Sequence, residues 1–387
     1  MTICPENKCT GCGACKAVCK FNAISFSASG NHSPVAVVDE TLCKNCNLCK
    51  KICPAVNQPE FNNSKTCYAL WAKDKDDQIN SASAGAVSSF YRKVLSDGGV
   101  VFGTRFIDNK LVFDFAETEK DAFKFRGSRY IQADVGDAYI KVKSFLENNR
   151  KVLFVGTPCQ IGGLKNFLGK PYEHLITIDL ICHGVAPSEF FNTYAKEVIG
   201  NKPYSNVEFR GKNGIKLAIY NTDGKAVYLK PKMLDLYYSA YAKGLIHREN
   251  CYSCQYAGTQ RCSDITAGDF WGLDLTTLKN KTLKTPVSSV CLINTDKGET
   301  FFKDASDYIE YEERTIAELL PHNKQLTAPC QPHSQRKMFL ESFKTKGFSE
   351  SVKATEIGKA VKKEKTKNLL SVPYRIVRKA VKKIIHR

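Results

Sequence analysis

The stretches CTGCGACKAVC (residues 9–19) and CKNCNLCKKICP (residues 43–54) carry the same run, C-x2-C-x2-C-x3-C, twice within the first 54 residues. Three thiols at this spacing wrap one face of an iron–sulfur cubane. The fourth, beyond a short helical turn, points to a neighbouring cluster. This is the spacing of bacterial two-cluster ferredoxins, where each run's last cysteine ligates the other run's cluster. Cys9, Cys12, Cys15 and Cys53 are therefore assigned to one 4Fe–4S cluster, and Cys43, Cys46, Cys49 and Cys19 to the other. The second run closes with the expected proline, Pro54, whereas the first has Lys20. Structural zinc is the competing reading, but zinc ribbons use two separated cysteine pairs rather than three cysteines in a row plus a fourth.

The rest of the composition fits a redox protein in a reducing compartment. The chain has 387 residues, enough for two or three domains with a substantial core. Its 17 cysteines are clustered and odd in number. Residues 1–8 are polar, without a secretory signal, and no apolar run approaches the length of a spanning helix. The expectation is a cytoplasmic protein whose thiols stay free to take metal. The net charge of +18 suggests nucleic acid until it is located, because Lys353 onward holds 12 Lys/Arg against two Glu. The body is only mildly basic and lacks interleaved basic and aromatic residues, so no nucleic-acid partner is expected.

Three parts follow along the chain: a ferredoxin-type domain over 1–60, an α/β domain over 66–347 and a basic tail over 348–387, with a polar linker at 57–65. In the middle part, strand patterns at 68–72, 99–106, 111–115, 152–155 and 175–181 alternate with helical patterns at 84–95, 135–146, 159–167 and 188–199. Such alternation predicts a mixed sheet covered on both faces. Asp108-Asn109 reads as a hairpin turn, and residues 207–228 as antiparallel strands turning at 221–224. The fold class is thus multidomain α+β and α/β, ending in a basic helical tail.

A second set of cysteines lies in this middle part. Cys251 and Cys254 form a C-x2-C pair in a loop. Cys159, in GTPCQ, sits in the first turn of a helix, where the helix dipole is expected to lower a thiol pKa. Cys182 follows a buried strand, at the edge where open α/β sheets place their sites. Cys159, Cys182, Cys251 and Cys254 can close around a third cluster, with Cys262 as the alternative for one place. Cys67, Cys291 and Cys330 read as ordinary thiols. Two weaker signals point to a nucleotide: the small residues SASAGAVS (81–88) opening a helix, and Gly127-Ser128-Arg129-Tyr130, with a guanidinium, a hydroxyl and an aromatic face.

In order and spacing, SASAGAVSS (81–89), VVFG (100–103), GSRYIQA (127–133), VLFVGTPCQIGGL (152–164), ITIDLICHG (176–184), CYSCQYA (251–257) and SDITAGDFWG (263–272) resemble the beta subunit of coenzyme F420 hydrogenase/dehydrogenase, here with a fused two-cluster ferredoxin domain. The resemblance implies FAD, a 4Fe–4S cluster in the body and oxidoreductase activity. By that resemblance Ser83, Gly85, Ser88, Ser128, Arg129 and Tyr130 hold FAD, and Gly156 and Thr157 face the flavin or the cluster beside it. Ala84 departs from the family, which usually shows a second glycine there, and its methyl is expected to narrow the approach to the nucleotide. Some bacterial relatives stand beside polysaccharide-synthesis functions, which makes a role in polysaccharide biosynthesis a further expectation.

The expected activity is electron passage between the ferredoxin-type clusters and FAD, to reduce or oxidise a substrate. The electrons are exchanged with a redox partner protein or a small donor. The rival is a non-catalytic ferredoxin-like electron carrier that docks to an enzyme, which would hold no flavin. In the tail, Tyr374, Val377, Ala380, Val381, Ile384 and Ile385 recur at three- and four-residue steps after Pro373. That pattern predicts a basic amphipathic helix, which would place the protein peripherally at an anionic inner membrane face.

Overall fold

The computed structural model describes residues 2–211 and 214–385, with side chains as far as residue 370. The N-terminal unit is an antiparallel hairpin of β1 (Ile24–Ala28) and β2 (Pro34–Val38) beside two short helices, Ala14–Val18 and Leu48–Lys51. The two cysteine runs curl alike. The residues flanking the second cysteine of each run have positive φ: Gly11 (64°) and Gly13 (81°) in one, Asn45 (51°) and Asn47 (57°) in the other. Glycine and asparagine are the residues that enter this region at least cost, so each loop can fold back on itself around a common centre. Ile3, Ile24, Cys15, Cys49 and Cys53 form a small core of its own.

The polar stretch before the body is not free. Its β3 (Asn62–Asn63) pairs with β12 (Gln260–Arg261). The body strands are β4 (Thr66–Ala72), β5 (Val100–Ile107), β6 (Lys110–Ala116), β7 (Val152–Gly156) and β8 (Leu175–Leu180). After a three-stranded antiparallel sheet of β9 (Asn206–Gly211), β10 (Gly214–Tyr220) and β11 (Ala226–Pro231) come β13 (Ile265–Asp269), β14 (Ser289–Ile293) and β15 (Ile309–Arg314). Eight of these form one sheet in the order β15-β4-β14-β13-β8-β7-β5-β6. Its centre, β5-β7-β8-β13, is parallel, and the outer pairings are antiparallel. Alternation along β7 explains the burial on both faces: Val152 and Phe154 enter one core cluster, Leu153 and Val155 the other. Thr157, Cys182 and Phe270 all follow the carboxyl ends of these parallel strands, so three separate segments converge on one edge of the sheet.

The start of the tail packs on the body. The helical stretch Arg336–Lys353 is interrupted at Gly347 (φ 72°, ψ −171°), and beyond it Phe348, Val352, Ile357 and Val361 are buried in the main core. The last helix is Glu356–Ile385, so it begins well before Pro373. The proposed apolar face from Tyr374 to Ile385 lies outside the described side chains. Among the described residues no helix is long and apolar enough to cross a membrane.

Candidate redox site

The GTPCQ segment is built as a strand-to-helix corner. β7 ends at Gly156 and Pro158 opens the helix Pro158–Leu168. Gln160 ties the corner back: its Oε1 accepts from Thr157 N (2.9 Å) and from Thr157 Oγ1 (2.8 Å). Thr157 Oγ1 lies 3.2 Å from Cys159 Sγ. A helix start was expected to lower the Cys159 pKa, but burial wins and pushes it up to about 12, with the Thr157 hydrogen bond opposing. Burial likewise raises Cys182, Cys254 and Cys251, the last to about 11. Burial thus favours the neutral thiols, and binding a metal would displace their protons.

Cys159, Cys182, Cys251 and Cys254 line one small cavity of about 40 Å³. Cys330, read from sequence as an ordinary thiol, stands in the same wall. Cys262 does not; it is fully buried, its Sγ 3.5 Å from the carbonyl of Pro158. Cys67 and Cys291 are core residues of β4 and β14. A single zinc ion is a poor fit to these thiols. Zn–S bonds of about 2.3 Å in a tetrahedron bring sulfurs to about 3.8 Å of one another. Among the described residues the one group of three ligand atoms within 4.8 Å is Asp74, Asp76 and Asp77, and it holds no cysteine.

In the ferredoxin unit Cys9, Cys15 and Cys53 are buried close enough to perturb one another, and Cys43 and Cys46 act on Cys49 in the same way. Cys4, outside both runs, stands close enough to Cys9 and Cys53 to perturb both thiols. Nothing in the spacing signalled it. The unit is pressed onto the body through Gly163, where a Cβ would lie 2.9 Å from Cys12 Sγ. The last glycine of GTPCQIGGL thus lets the helix reach the first cluster loop.

A second cavity of about 460 Å³ adjoins the thiols, within the range of cofactor sites. Ser83, Gly85, Ser88, Ser128, Arg129, Tyr130, Gly156 and Thr157 all line it, together with Cys159 and Cys182. Gly85, at φ +84°, caps the helix Ala86–Ser96, and a Cβ there would meet the Asp77 carbonyl at 2.7 Å. Ser83 accepts from Ser289 Oγ (3.0 Å), and Ser88 pairs with Ser81 (3.0 Å). The concern over Ala84 is overturned: its side chain is fully buried in the core cluster with Trp71 and Phe270, away from the cavity.

Arg129 and Tyr130 are more committed than the sequence suggests. The Arg129 guanidinium donates to the carbonyls of Phe125 (2.9 Å) and Lys124 (2.8 Å), so it holds the Gly127–Ser128 loop in place. Burial draws its pKa down to about 10. Tyr130 stacks on Tyr241 at 4.3 Å. The far wall was not singled out residue by residue: Arg210 pairs with Asp269 and lies over Trp271, and Asp269 Oδ1 has no hydrogen-bond partner. The signal was available, since Asp269 and Trp271 sit inside DITAGDFWG.

Residues 149–318 match the family described as the C terminus of the coenzyme F420 hydrogenase/dehydrogenase beta subunit. That part of the chain carries the family's domain. Residues 8–57 match the 4Fe-4S dicluster domain. An uncharacterized protein of Methanocaldococcus jannaschii is 24% identical over 353 residues, which cover 81% of this chain and 91% of that protein. The coenzyme F420-dependent sulfite reductase of the same organism is 28% identical over 171 residues, 43% of this chain but 26% of the reductase. Among solved structures, a chain of the F420-reducing NiFe hydrogenase complex from Methanosarcina barkeri aligns with a TM-score of 0.47 at 17% identity, covering 68% of this chain and 88% of that one. The family match and the dicluster domain make this an iron–sulfur protein of the electron-transferring, oxidoreductase type.

Proposed function

We propose that the chain is an iron–sulfur flavoprotein oxidoreductase with three 4Fe–4S clusters and one FAD. The observation that carries this reading is the shared wall: Cys159 and Cys182 line both the thiol cavity and the 460 Å³ cavity. The orphaned Asp269 Oδ1 and the glycine-capped helix at Gly85 fit a large polar ligand in that larger cavity. Bound flavin would supply two-electron hydride chemistry, and the clusters single-electron relay.

The chain's own residues do the positioning. Thr157 and Gln160 fix the corner that carries Cys159. Arg129 pins the loop presenting Ser128, and the Tyr130–Tyr241 stack closes one side against water. Thr10 lines both cavities, bringing the first cysteine run to the body thiols. Anaerobic iron and flavin assays test the reading: about twelve iron atoms, from three clusters of four, and about one flavin per chain are expected. Eight irons without flavin would refute it in favour of a ferredoxin-like carrier.

A further inference from the structure

The two thiol sets differ in exposure. Cys9, Cys12, Cys15 and Cys53 are all buried, whereas in the other set only Cys49 is buried, Cys46 is exposed and Cys43 and Cys19 are half-buried. The large apolar side chains beside them are also exposed: Phe21 (44%), Leu42 (46%) and Leu48 (39%). Three of the four thiols are each followed directly by an exposed lysine: Cys19 by Lys20, Cys43 by Lys44 and Cys49 by Lys50, with Lys51 next to it. None of these lysines has an ion-pair partner among the described residues. Residues 16–53 hold five lysines against Asp39 and Glu40, and Asp39 is turned to Thr41, accepting from its N at 2.9 Å. An apolar centre flanked by an excess of positive charge is the anatomy of a steered, transient protein interface.

We propose that this face docks an acidic electron-carrier protein, which exchanges single electrons with the protein through the cluster held by the second run. The inference rests on the function proposed above and names the partner of that relay. Each encounter moves one electron: the carrier is oxidised by one, the second-run cluster is reduced by one, and no bond or proton is exchanged. A two-electron turnover therefore needs two encounters. The thiols at the centre of the face favour a redox protein over an anionic lipid surface, which would need only the charge.

The test uses the full-length, cluster-loaded protein and an acidic two-cluster ferredoxin as probe. Binding is followed by calorimetry, and reduction by anaerobic stopped flow. Raising the salt from about 0.1 M to about 1 M shortens the Debye length from about 10 Å to about 3 Å. Affinity and second-order rate are expected to fall at least about tenfold over that range. The variant Lys20→Gln/Lys44→Gln/Lys50→Gln/Lys51→Gln should show the same loss at low salt, with its iron content and its reduction by methyl viologen radical unchanged. Wild-type affinity and rate in that variant would overturn the proposal. So would binding of anionic vesicles that depends on the lysines while the carrier rate does not. If the wild type takes no electrons even from methyl viologen, the proposed function fails instead, and the two failures are distinct.

Discussion

Replacing Arg248 with methionine is the sharpest probe of how the two domains work together. Arg248 has 0% exposure, yet no carboxylate pairs with it among the described residues. Its guanidinium donates to the carbonyls of Cys9 (2.9 Å) and Pro34 (2.7 Å) in the ferredoxin unit, and to Asn250 Oδ1 (3.1 Å) and Gln132 Oε1 in the body. It also stands in the wall of the thiol cavity with Cys251 and Cys254. A buried cation of this kind needs a counter-charge, and the anionic clusters proposed on either side supply one. Methionine keeps most of the bulk but removes the charge and leaves two buried carbonyls unpaired, at about 1–3 kcal/mol each. The lost cation matters more for electrons. A unit charge about 10 Å away at an effective dielectric of about 20 is worth about 1.7 kcal/mol, or roughly 70 mV per electron. EPR-monitored redox titration should find the first-run and body clusters lowered by about that amount, with the exposed second-run cluster unmoved. Arg248→Lys, which keeps the charge and loses the fork, should restore most of the potential. Unmoved potentials at full iron content in Arg248→Met would refute the argument.

Other perturbations have equally definite outcomes. Cys254→Ser should lose about four of about twelve irons, whereas Cys262→Ser, with its thiol outside the cavity, should keep its full iron content; equal losses would return Cys262 to the ligand set. His247 is buried between Tyr241 and Tyr252 with neither ring nitrogen partnered, and burial draws its pKa down to about 3. A folded-state pKa below the unfolded value contributes stability above about pH 6.5 that is lost as pH falls from there toward 3. His247→Phe should therefore flatten the acid limb, narrowing the wild-type lead by on the order of 1 kcal/mol between pH 6.5 and 5.5 in denaturant titrations. Deleting residues 368–387 should leave the Ile357 and Val361 packing and the iron content intact while abolishing flotation with anionic vesicles; full-length protein that never floats at low salt would sink the membrane idea.

Much of the architecture was legible because its signals are local. The two cysteine runs, the buried apolar run of β7 and the Asp108-Asn109 turn, where both residues adopt positive φ (48° and 60°), each depend on neighbours a few positions away. The small-residue loop at 81–88 and the 127–130 segment were found as short motifs, Gly156-Thr157 came with the family resemblance, and the fold places all of them on one cavity. The direction of Ala84 was not legible, because which way a loop methyl points is set by the core cluster that receives it. The packing of the tail's first residues was not legible for a similar reason: Phe348, Val352, Ile357 and Val361 are buried only because the body supplies the surface that receives them.

By itself the sequence determined that this protein handles electrons, since thiol number and spacing dictate which clusters a loop can wrap. Only the tertiary structure decided which body thiols share a wall. Cys159, Cys182, Cys251, Cys254 and Cys330 come from four separate segments, and their meeting depends on where strand ends and loops converge. It also decided that Arg248, one basic residue among 57, is a buried link between the ferredoxin unit and the body. Burial and long-range contact are properties of the packed chain, and no local spacing encodes them.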